Sequence, residues 1–269
     1  MNFNNKNIVF SKKDISKKVI LPKNLTPELS EIIGIILGDG HLEHNKKYSS
    51  TTMYCIKIAG NLSEDADYHK NEINPMFFKL FNTTFNISQE RKNELVSRLY
   101  SKAIATFMKE LGIKPGCKVY TNKIPNLILN ANNKIKISFL RGMFDTDGSI
   151  SFKKDNKGFH SKPIISISMK SEQITLQIKE LLTSLNFNVQ TFLNLYKDKK
   201  KKYTGNKIEL AGKKNLSKFQ EIIKFRNPRH TTKIEIYKKY GFCPPYLTYQ
   251  QKLNILNQKT DPLNFYQSI

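Results

Sequence analysis

Two similar stretches decide the fold, IIGIILGDG at residues 32–40 and LRGMFDTDG at residues 140–148. Each is an apolar run that closes on an aspartate and a glycine. The first run is hydrophobic nearly all round, which is typical of a helix buried between other elements. We therefore expect two buried helices, with Asp39 and Asp147 at their carboxyl ends.

Small side chains mark one face of each of these helices. Gly34 and Gly38 lie four residues apart, as do Gly142 and Thr146, so each pair falls on a single helix face. Helices that meet at such faces can approach until their backbones touch, as small-xxx-small pairs allow in membranes. The pattern predicts that the two helices pack against each other and bring their aspartates together.

Signals at both ends of the first helix predict where it begins and how it stops. Thr26 suits an N-cap, Pro27 suits the first helical position, and Glu28 gives an acidic first turn. Gly40, and its counterpart Gly148 in the second stretch, suit the left-handed position that ends many helices. We expect a helix that begins at Pro27 and left-handed backbone at both glycines.

The order of predicted elements repeats along the chain. Each apolar helix precedes two strands, an amphipathic helix, two more strands and a final helix. Asp39 and Lys102 are 63 residues apart, and Asp147 and Lys214 are 67 apart, as expected when loops differ slightly between two copies. The fold class is therefore α+β, with two pseudo-symmetric αββαββα lobes. Their antiparallel sheets form a saddle, and the apolar helices lie at the lobe interface.

The repeat gives approximate bounds for elements and domains. In the first copy we expect strands near 41–48, 53–60, 84–91 and 94–100 and helices at 64–81 and 102–111. In the second we expect strands near 149–154, 162–170, 187–196 and 205–211 and helices at 171–185 and 214–225. The domains are a basic N-terminal extension at 1–26, a first lobe at 27–125, a second lobe at 126–229 and a C-terminal tail at 230–269.

The charge of the chain favours a polyanionic partner. Its 269 residues carry 45 Lys and Arg against 22 Asp and Glu, a formal net charge of +23. Such an excess opposes compaction by self-repulsion, and nucleic acid is the partner that best offsets it. A Lys-, Asn- and Ile-rich composition also follows from an AT-rich genome, so charge alone leaves that alternative open.

The cysteines and the apolar segments bear on location. Cys55, Cys117 and Cys243 have neither zinc-site nor disulfide spacing, so we expect reduced, mostly buried thiols. No apolar run reaches the length of a membrane span, and the first residues lack a signal-peptide core. We expect a soluble intracellular protein, in the cytoplasm of a prokaryote or in an organelle matrix.

Both nonapeptides resemble the LAGLIDADG motif of single-chain homing endonucleases. The second matches the apolar, glycine and DxDG positions, whereas the first has Leu37 where the family often has its first aspartate and keeps Asp39. The resemblance covers roughly residues 27–226. It implies a site-specific endonuclease that makes a metal-dependent staggered cut in both strands of a long DNA target, by hydrolysis with metal-activated water.

A pair of aspartates at helix carboxyl ends favours a bound cation. A carboxylate there opposes the helix macrodipole by about 0.3–1 kcal/mol, and two of them repel each other. Oxygen ligands without nearby histidine or cysteine suit Mg²⁺, with Mn²⁺ as a substitute and Ca²⁺ expected to bind without supporting cleavage. The alternative is that each aspartate only caps the turn that follows it. The expected metal ligands are Asp39, Asp147, Gly38 and Thr146.

The resemblance also implies roles for polar residues near the motifs. The aspartates would each bind metal beside one scissile phosphate, while lysines at strand–helix junctions would orient water or stabilise phosphorane charge. Polar residues at the ends of two equivalent strands look like the family's polar pocket positions. In that order, the expected catalytic residues are Asp39, Asp147, Lys102, Lys214, Asn61 and Lys170. The last four are also plausible surface residues.

Alternation along the strands predicts which side chains face DNA. In Ile56-Lys57-Ile58 and Ile165-Ser166-Ile167 the isoleucines point to the core and the polar residues point outward. Two such twisted sheets form a DNA-binding saddle that follows the major groove, where each base pair shows a distinct pattern. For the lysines at 199 and 200, a solvated hairpin tip is an alternative explanation. The expected DNA-binding residues are Lys57, Arg98, Tyr100, Lys153, Lys154, Ser166, Ser168, Lys199, Lys200, Lys207 and Glu209.

Two other functions fit the same residues. An RNA maturase would keep the fold and assist intron splicing, recognising RNA by shape and backbone. A noncatalytic DNA-binding regulator gains nothing from two clustered carboxylates, so retention of both aspartates argues against it. An intein is disfavoured because the chain ends in Gln267-Ser268-Ile269 rather than His-Asn. We expect a monomer on double-stranded DNA, with intron RNA as the alternative partner and no membrane or obligate protein partner.

Overall fold

Helices and strands alternate along the part of the chain that the computed structural model describes, residues 2–46, 52–116, 123–195, 197–198 and 203–266. The α-helices are α1 Lys12–Ser16, α2 Pro27–Leu37, α3 Leu62–Tyr68, α4 Asn74–Phe81, α5 Lys102–Glu110, α6 Asn126–Leu129, α7 Asn133–Thr146, α8 Glu172–Ser184, α9 Lys213–Ile222, α10 Pro228–Tyr240 and α11 Tyr249–Leu256. The strands are β1 Gly40–Lys46, β2 Thr52–Asn61, β3 Asn86–Arg91, β4 Glu94–Tyr100, β5 Gly148–Lys154, β6 His160–Met169, β7 Gln190–Phe192, β8 Lys197–Asp198, β9 Tyr203–Thr204 and β10 Asn206–Ala211. No helix in these ranges has the length and apolar character needed to span a bilayer.

Two four-stranded antiparallel sheets form the two lobes. Their strand orders are β1-β2-β4-β3 and β5-β6-β10-β7, so each strand of the first sheet has a counterpart in the second. The register agrees as well, because Gly40 lies opposite Ile58 and Gly148 lies opposite Ile167. This arrangement confirms the predicted α+β class and the repeat of the two lobes.

The predicted elements differ from the structure mainly in two places. The helix expected at 64–81 runs without a break from Leu62 to Phe81, because the backbone stays helical at Tyr68, Ile73 and Asn74, but it contains a π-helical turn at His69–Ile73. This wider turn lies just before Pro75, which cannot donate a helix hydrogen bond. The strand expected at 187–196 shrinks to β7, because left-handed backbone at Asn186 and Asn194 turns the chain on both sides.

The helices α2 and α7 form the centre of the molecule, as predicted. Every residue from 29 to 37 is buried, so α2 has neighbours on all sides. A β-carbon on Gly34 would lie 3.1 Å from the amide nitrogen of Met143, and one on Gly142 would lie 2.9 Å from that of Ile35. Both helix backbones therefore touch at their glycines, and the small-residue prediction is confirmed.

The prediction of left-handed backbone at Gly40 and Gly148 is wrong. Neither glycine has a positive φ, and each is instead the first residue of a strand. A β-carbon on Gly40 would lie 2.5 Å from the Cα of Ile36, and one on Gly148 would lie 2.8 Å from the Cα of Phe144. Glycine is needed because each strand turns back directly against the end of the preceding helix.

The residues before the first lobe pack into it. The Asp14 carboxylate accepts hydrogen bonds from the Ser101 hydroxyl at 2.6 Å and from the Ala103 amide at 3.2 Å, at the start of α5. The Phe3 ring packs edge-on against Phe107 at 5.5 Å. These contacts make the predicted extension at 1–26 part of the packed structure of the first lobe.

A buried polar network joins both lobes to the C-terminal segment. The Asp145 carboxylate, fully buried in α7, accepts N–H groups of Arg226 and Asn227 at 3.0 Å each. The Asn227 side chain in turn donates to Asp65 of α3 at 2.8 Å. Helix α10, which crosses the boundary predicted at residue 229, is thus fixed to both lobes. Burial raises the pKa of Asp145 to about 8, against the lowering effect of the Asn227 N–H bond.

A second interlobe cluster surrounds Glu31 of α2. This carboxylate is buried and lies 3.0 Å from the guanidinium of Arg141 and 3.1 Å from that of Arg226. Burial raises the pKa of Glu31, and the two arginines oppose that rise. The buried charge is thus compensated from α7 and from the segment that precedes α10.

The prediction of reduced, buried thiols is confirmed for two of the three cysteines. Cys55 and Cys243 are free and buried, and burial raises the pKa of each to about 11. Cys117 lies outside the described residues.

Replacing Gly142 with alanine should destabilise the protein, because the new methyl group would meet the backbone of α2, which no side-chain rotation can relieve. We expect a loss of at least about 2 kcal/mol in the free energy of unfolding, measured by urea denaturation. Lys134→Ala, on the exposed start of the same helix, should change it by less than about 0.5 kcal/mol. Equal stability of Gly142→Ala and wild type would show that the helices do not touch at this residue.

Replacing Asp145 with alanine should remove the acceptor of two buried amides and lower the free energy of unfolding by about 2–4 kcal/mol. Asp145→Asn keeps one acceptor oxygen and should lose less than half as much. Denaturation at pH 7 measures both.

The pH dependence of the free energy of unfolding, compared between wild type and Asp145→Asn, tests the raised pKa of Asp145. Because the folded pKa of Asp145, about 8, lies above 3.8 in the unfolded chain, the folded state keeps a proton that the unfolded state releases. The stability contributed by this group is therefore present below about pH 4 and lost as pH rises towards 8. The advantage of wild type over Asp145→Asn should shrink across that range, and a constant difference would contradict the assignment.

Candidate functional site

The two motif aspartates lie at the adjoining ends of α2 and α7. Asp147 follows α7 directly, and its amide bonds to the Met143 carbonyl at 3.0 Å. Asp39 stands two residues after α2, and its carbonyl accepts the Ala59 amide at 3.0 Å. The Asp147 Oδ2 is 3.4 Å from the place that a β-carbon on Gly38 would occupy. The carboxylate of one motif therefore lies against the residue that precedes the aspartate of the other.

Both aspartates are partly exposed, so a ligand can reach them from solvent. Within the described ranges, no three His, Cys, Asp or Glu side chains converge as a metal site would require. A metal held here would thus take two carboxylates and the predicted backbone carbonyls from the protein, and its other oxygens from water or phosphate. That ligand set is the one Mg²⁺ prefers, so the residues fit the predicted metal.

The carbonyl of Thr146, which we predicted as a metal ligand, has a different partner. It accepts a hydrogen bond from the guanidinium of Arg229, which also donates to the Asp145 carbonyl at 3.2 Å. A positive charge at the carboxyl end of α7 offsets the negative end of the helix dipole. A carbonyl oxygen has two lone pairs, so this hydrogen bond leaves one free and Thr146 stays a predicted ligand. Gly38, half-buried at the end of α2, stays a predicted ligand.

A cavity of about 420 Å³ opens beside Asp147. Ser149 lines it from β5, while α10 and α11 contribute three cations. Two of these are held by carboxylates of α3, since Arg229 lies 3.2 Å from Asp65 and Lys252 lies 2.8 Å from Glu64. The third is Lys233, whose pKa is lowered by burial and by the neighbouring charge of Lys252.

The outer face of the first sheet carries charged side chains in pairs. Lys57 and Arg98 lie opposite each other on β2 and β4, with Ile56 and Ile58 buried beneath them, as alternation predicted. Lys57 bonds to Glu43 at 3.0 Å, and Arg98 bonds to Glu90. Tyr100, on the same face as Arg98, is exposed. The pairs hold the long basic side chains in fixed positions over the sheet.

The outer face of the second sheet is more polar and carries unbalanced positive charge. Ser149 and Ser166 share a hydrogen bond at 3.1 Å, which buries the Ser166 hydroxyl more than we expected. Lys207 bonds to Glu209 at 2.6 Å and lies opposite the exposed Ser168. The strand parity is as predicted, but only Lys207 and Ser168 are open to solvent, since Ser166 and Glu209 are buried.

A like-charge pair adds to this face. The exposed side chains of Lys153 and Lys162 stand directly opposite each other on β5 and β6, and the exposed Lys154 follows at a break in the register. Like charges in directly opposed strand positions destabilise a sheet. An anion that binds between them removes this cost, which supports a phosphate contact here.

The predicted basic residues at the strand–helix junctions occupy equivalent places. Lys102 is the first residue of α5, and its ammonium lies 5.7 Å from the centre of the Tyr54 ring. Lys214 is the second residue of α9 and is exposed. Each lysine directly precedes a buried position, Ala103 or Asn215, so the two have the same phase on their helices.

Asn61 and Lys170 are also equivalent, because each lies three residues beyond the isoleucine opposite its motif glycine. The Asn61 side chain caps α3, accepting N–H groups of Ser63 at 3.0 Å and Glu64 at 3.2 Å. This cap explains its presence without a catalytic role. Lys170 is exposed and directly follows β6.

The predicted contacts Lys199 and Lys200 lie outside the described residues. Four residues of this region were not predicted. Glu43 could have been found from strand parity, since it follows the inward-facing Leu42, whereas Glu90 lies among exposed residues at a shift in the register of β3. Arg229 and Lys233 could not have been found, because the segment beyond residue 226 has no counterpart in the repeat.

Similarity to known proteins agrees with this architecture. Residues 134–224 match the family model described as a LAGLIDADG-like domain. The chain is 27% identical over 218 residues to a glutamine–fructose-6-phosphate aminotransferase of Methanocaldococcus jannaschii, which covers 81% of this chain and 18% of that protein. It is 26% identical over 204 residues to a tRNA-splicing ligase RtcB of Pyrococcus abyssi, which covers 73% of this chain and 22% of that protein. The chain spans about a fifth of the length of these curated relatives.

Solved structures share the whole fold. Variants of the homing endonuclease I-DmoI superpose with a TM-score of 0.54 at 16% identity, over 75% of this chain and 92% of that one. I-SmaMI bound to an uncleaved DNA target with calcium superposes with a TM-score of 0.52 at 14% identity, over 91% of this chain and 97% of that one. I-DmoI has also been solved with DNA and Ca, and with DNA and Mn. Residues 134–224 thus match a LAGLIDADG-like domain, and the chain, with its two motifs, two lobes and abutting glycine-marked helices, has the fold of the homing endonucleases I-DmoI and I-SmaMI.

Proposed function

We propose that this protein is a site-specific endonuclease that makes a staggered cut in both strands of a long DNA target. The observation that carries the proposal is the placement of Asp39 and Asp147 at the touching ends of two buried helices. Each lobe places a sheet with basic outer side chains beside these ends. One aspartate serves each strand, so a single chain supplies the complete site.

The helix ends make the two carboxylates suited to a cation and to little else. Each stands at the negative end of a helix dipole, and each adds negative charge to the other. Bound by Asp39 and Asp147, Mg²⁺ would share phosphate oxygens with the target, lower the pKa of an attacking water and stabilise the leaving 3′ oxygen. The aspartates hold position because the glycine contact fixes both helix backbones.

Basic side chains orient the target. Lys102 and Lys214 stand at equivalent strand–helix junctions, where their ammonium groups would orient water or stabilise the developing phosphorane charge. Lys57, Arg98 and Lys207, held by their carboxylate partners, would reach base edges in the major groove. The solved relatives of the same fold bind DNA with Ca or Mn, which supports the same kind of partner here.

Selection of cleaved sequences from a random duplex library with Mg²⁺ provides the target and tests the proposal. Asp39→Asn or Asp147→Asn should lower the rate of double-strand cleavage of that target at least about 100-fold, because each removes a charged metal ligand. Binding in Ca²⁺, measured by fluorescence anisotropy, should stay within about tenfold of wild type. Asp67→Asn, a surface carboxylate change on α3, serves as the matched control and should cut normally. Undiminished cleavage by both site variants would contradict the assignment.

The affinity for duplex DNA should fall steeply with salt, because the basic outer faces displace counterions from the phosphates. A protein of this charge should show a slope of log affinity against log salt of about −5 or steeper. Combining Lys153→Gln with Lys162→Gln should make that slope shallower by about 2, while Lys134→Gln should leave it unchanged.

Two results would count against this DNA surface. An unchanged slope in the double variant would exclude the like-charge pair as a phosphate contact. Tighter binding to structured RNA than to duplex DNA would favour the maturase alternative.

A further inference from the structure

The C-terminal helix α10 brings a lysine to one half of the site. Lys233 lines the cavity beside Asp147, together with Ser149 of the edge strand β5. Its ammonium donates to the Ile150 carbonyl at 3.2 Å, which holds it along that strand. An ammonium group has three N–H donors, and this bond takes one.

The other cations of the cavity have structural tasks. Arg229 joins Asp65 of the first lobe to the carbonyl end of α7. Lys252, only 1% exposed, pairs with Glu64, and its ammonium donates to the Arg229 carbonyl at 3.1 Å. Movement of either group toward a ligand would break a contact between the lobes and the C-terminal segment. Lys233 bonds to a strand carbonyl instead, so a turn of its ammonium toward a ligand would break none of the described contacts between the lobes, although its side chain also lines a second cavity beside Cys243.

The first lobe is built differently at the equivalent place. The counterpart of Ile150 is Leu42, since both lie two residues after their motif glycine. The Leu42 carbonyl accepts the backbone amide of Gly116 at 2.9 Å, a neutral donor. In the described part of the chain, the two halves of the site thus differ by one positive charge at this position.

We propose that Lys233 is a phosphate-binding residue of the Asp147 half of the site, so that the two DNA strands are cut with different requirements. This inference rests on the proposed endonuclease function. The ammonium would contact a nonbridging oxygen of the phosphate at Asp147 and stabilise the charge that grows there during cleavage. Among the described residues no ammonium bonds to the equivalent Leu42 carbonyl, so we expect the strand at Asp39 to be cut without this contact.

Two pre-nicked forms of the selected target test the inference, each with one strand already cut at its cleavage position. Wild-type protein with Mg²⁺ should cut the remaining strand of both. Lys233→Gln should cut the form that is more impaired by Asp147→Asn at least about tenfold more slowly, and the form that is more impaired by Asp39→Asn within about twofold of wild type. Lys233→Arg, which keeps the charge, should restore the slow form to within about fivefold. Lys238→Gln, an exposed lysine on the same helix, should match wild type on both.

The outcomes separate the inference from the proposed function. Normal cutting of one form by Lys233→Gln shows that this variant is folded and binds DNA, so a merely structural role would not produce the strand difference. If Lys233→Gln slows both forms equally, or neither, the inference is wrong while the endonuclease stands. If wild-type protein cuts neither form, the proposed function fails, and the inference fails with it.

Discussion

The contact of two helix backbones at Gly34 and Gly142 is the constraint on which the rest of the structure depends. Any side chain at these positions would push α2 and α7 apart, and the two following strands would move with them. Because β1 and β5 begin directly at the helix ends, this contact fixes the separation of the sheets as well as that of the aspartates. Packing, sheet placement and site geometry thus have a single common origin.

The two aspartates of the second motif, Asp145 and Asp147, have different roles because one is buried and the other is partly exposed. Asp145 is fully buried and accepts backbone amides at the start of α10, so it holds the C-terminal segment to both lobes. Asp147 is partly exposed and faces a cavity with cationic walls. The first motif has the buried, apolar Leu37 in place of Asp145, so it offers no carboxylate there to the segment that begins α10. The chain is therefore symmetric in its folding pattern and asymmetric around its site.

Most of the fold could be predicted from periodicity, since apolar alternation and the four-residue spacing of small side chains are local signals. The packing of α2 against α7, the two sheets and the outward position of Lys57 and Arg98 follow from such signals. The prediction of left-handed backbone at Gly40 and Gly148 was wrong, because glycine is required there by the close approach of strand to helix and not by a positive φ. Arg229 and Lys233 could not be predicted, because a repeat pattern carries no information about contacts between residues 83 positions apart.

A phosphorothioate substitution tests most directly whether paired carboxylates at the helix ends hold a metal against the scissile phosphate. One nonbridging oxygen of that phosphate is replaced with sulfur, which Mg²⁺ binds poorly and Mn²⁺ binds better. If the carboxylates hold the metal there, wild-type cleavage of this strand should fall at least about tenfold in Mg²⁺ and largely recover in Mn²⁺. Equal rates for the oxygen and sulfur targets, with either stereoisomer and with either metal, would contradict it.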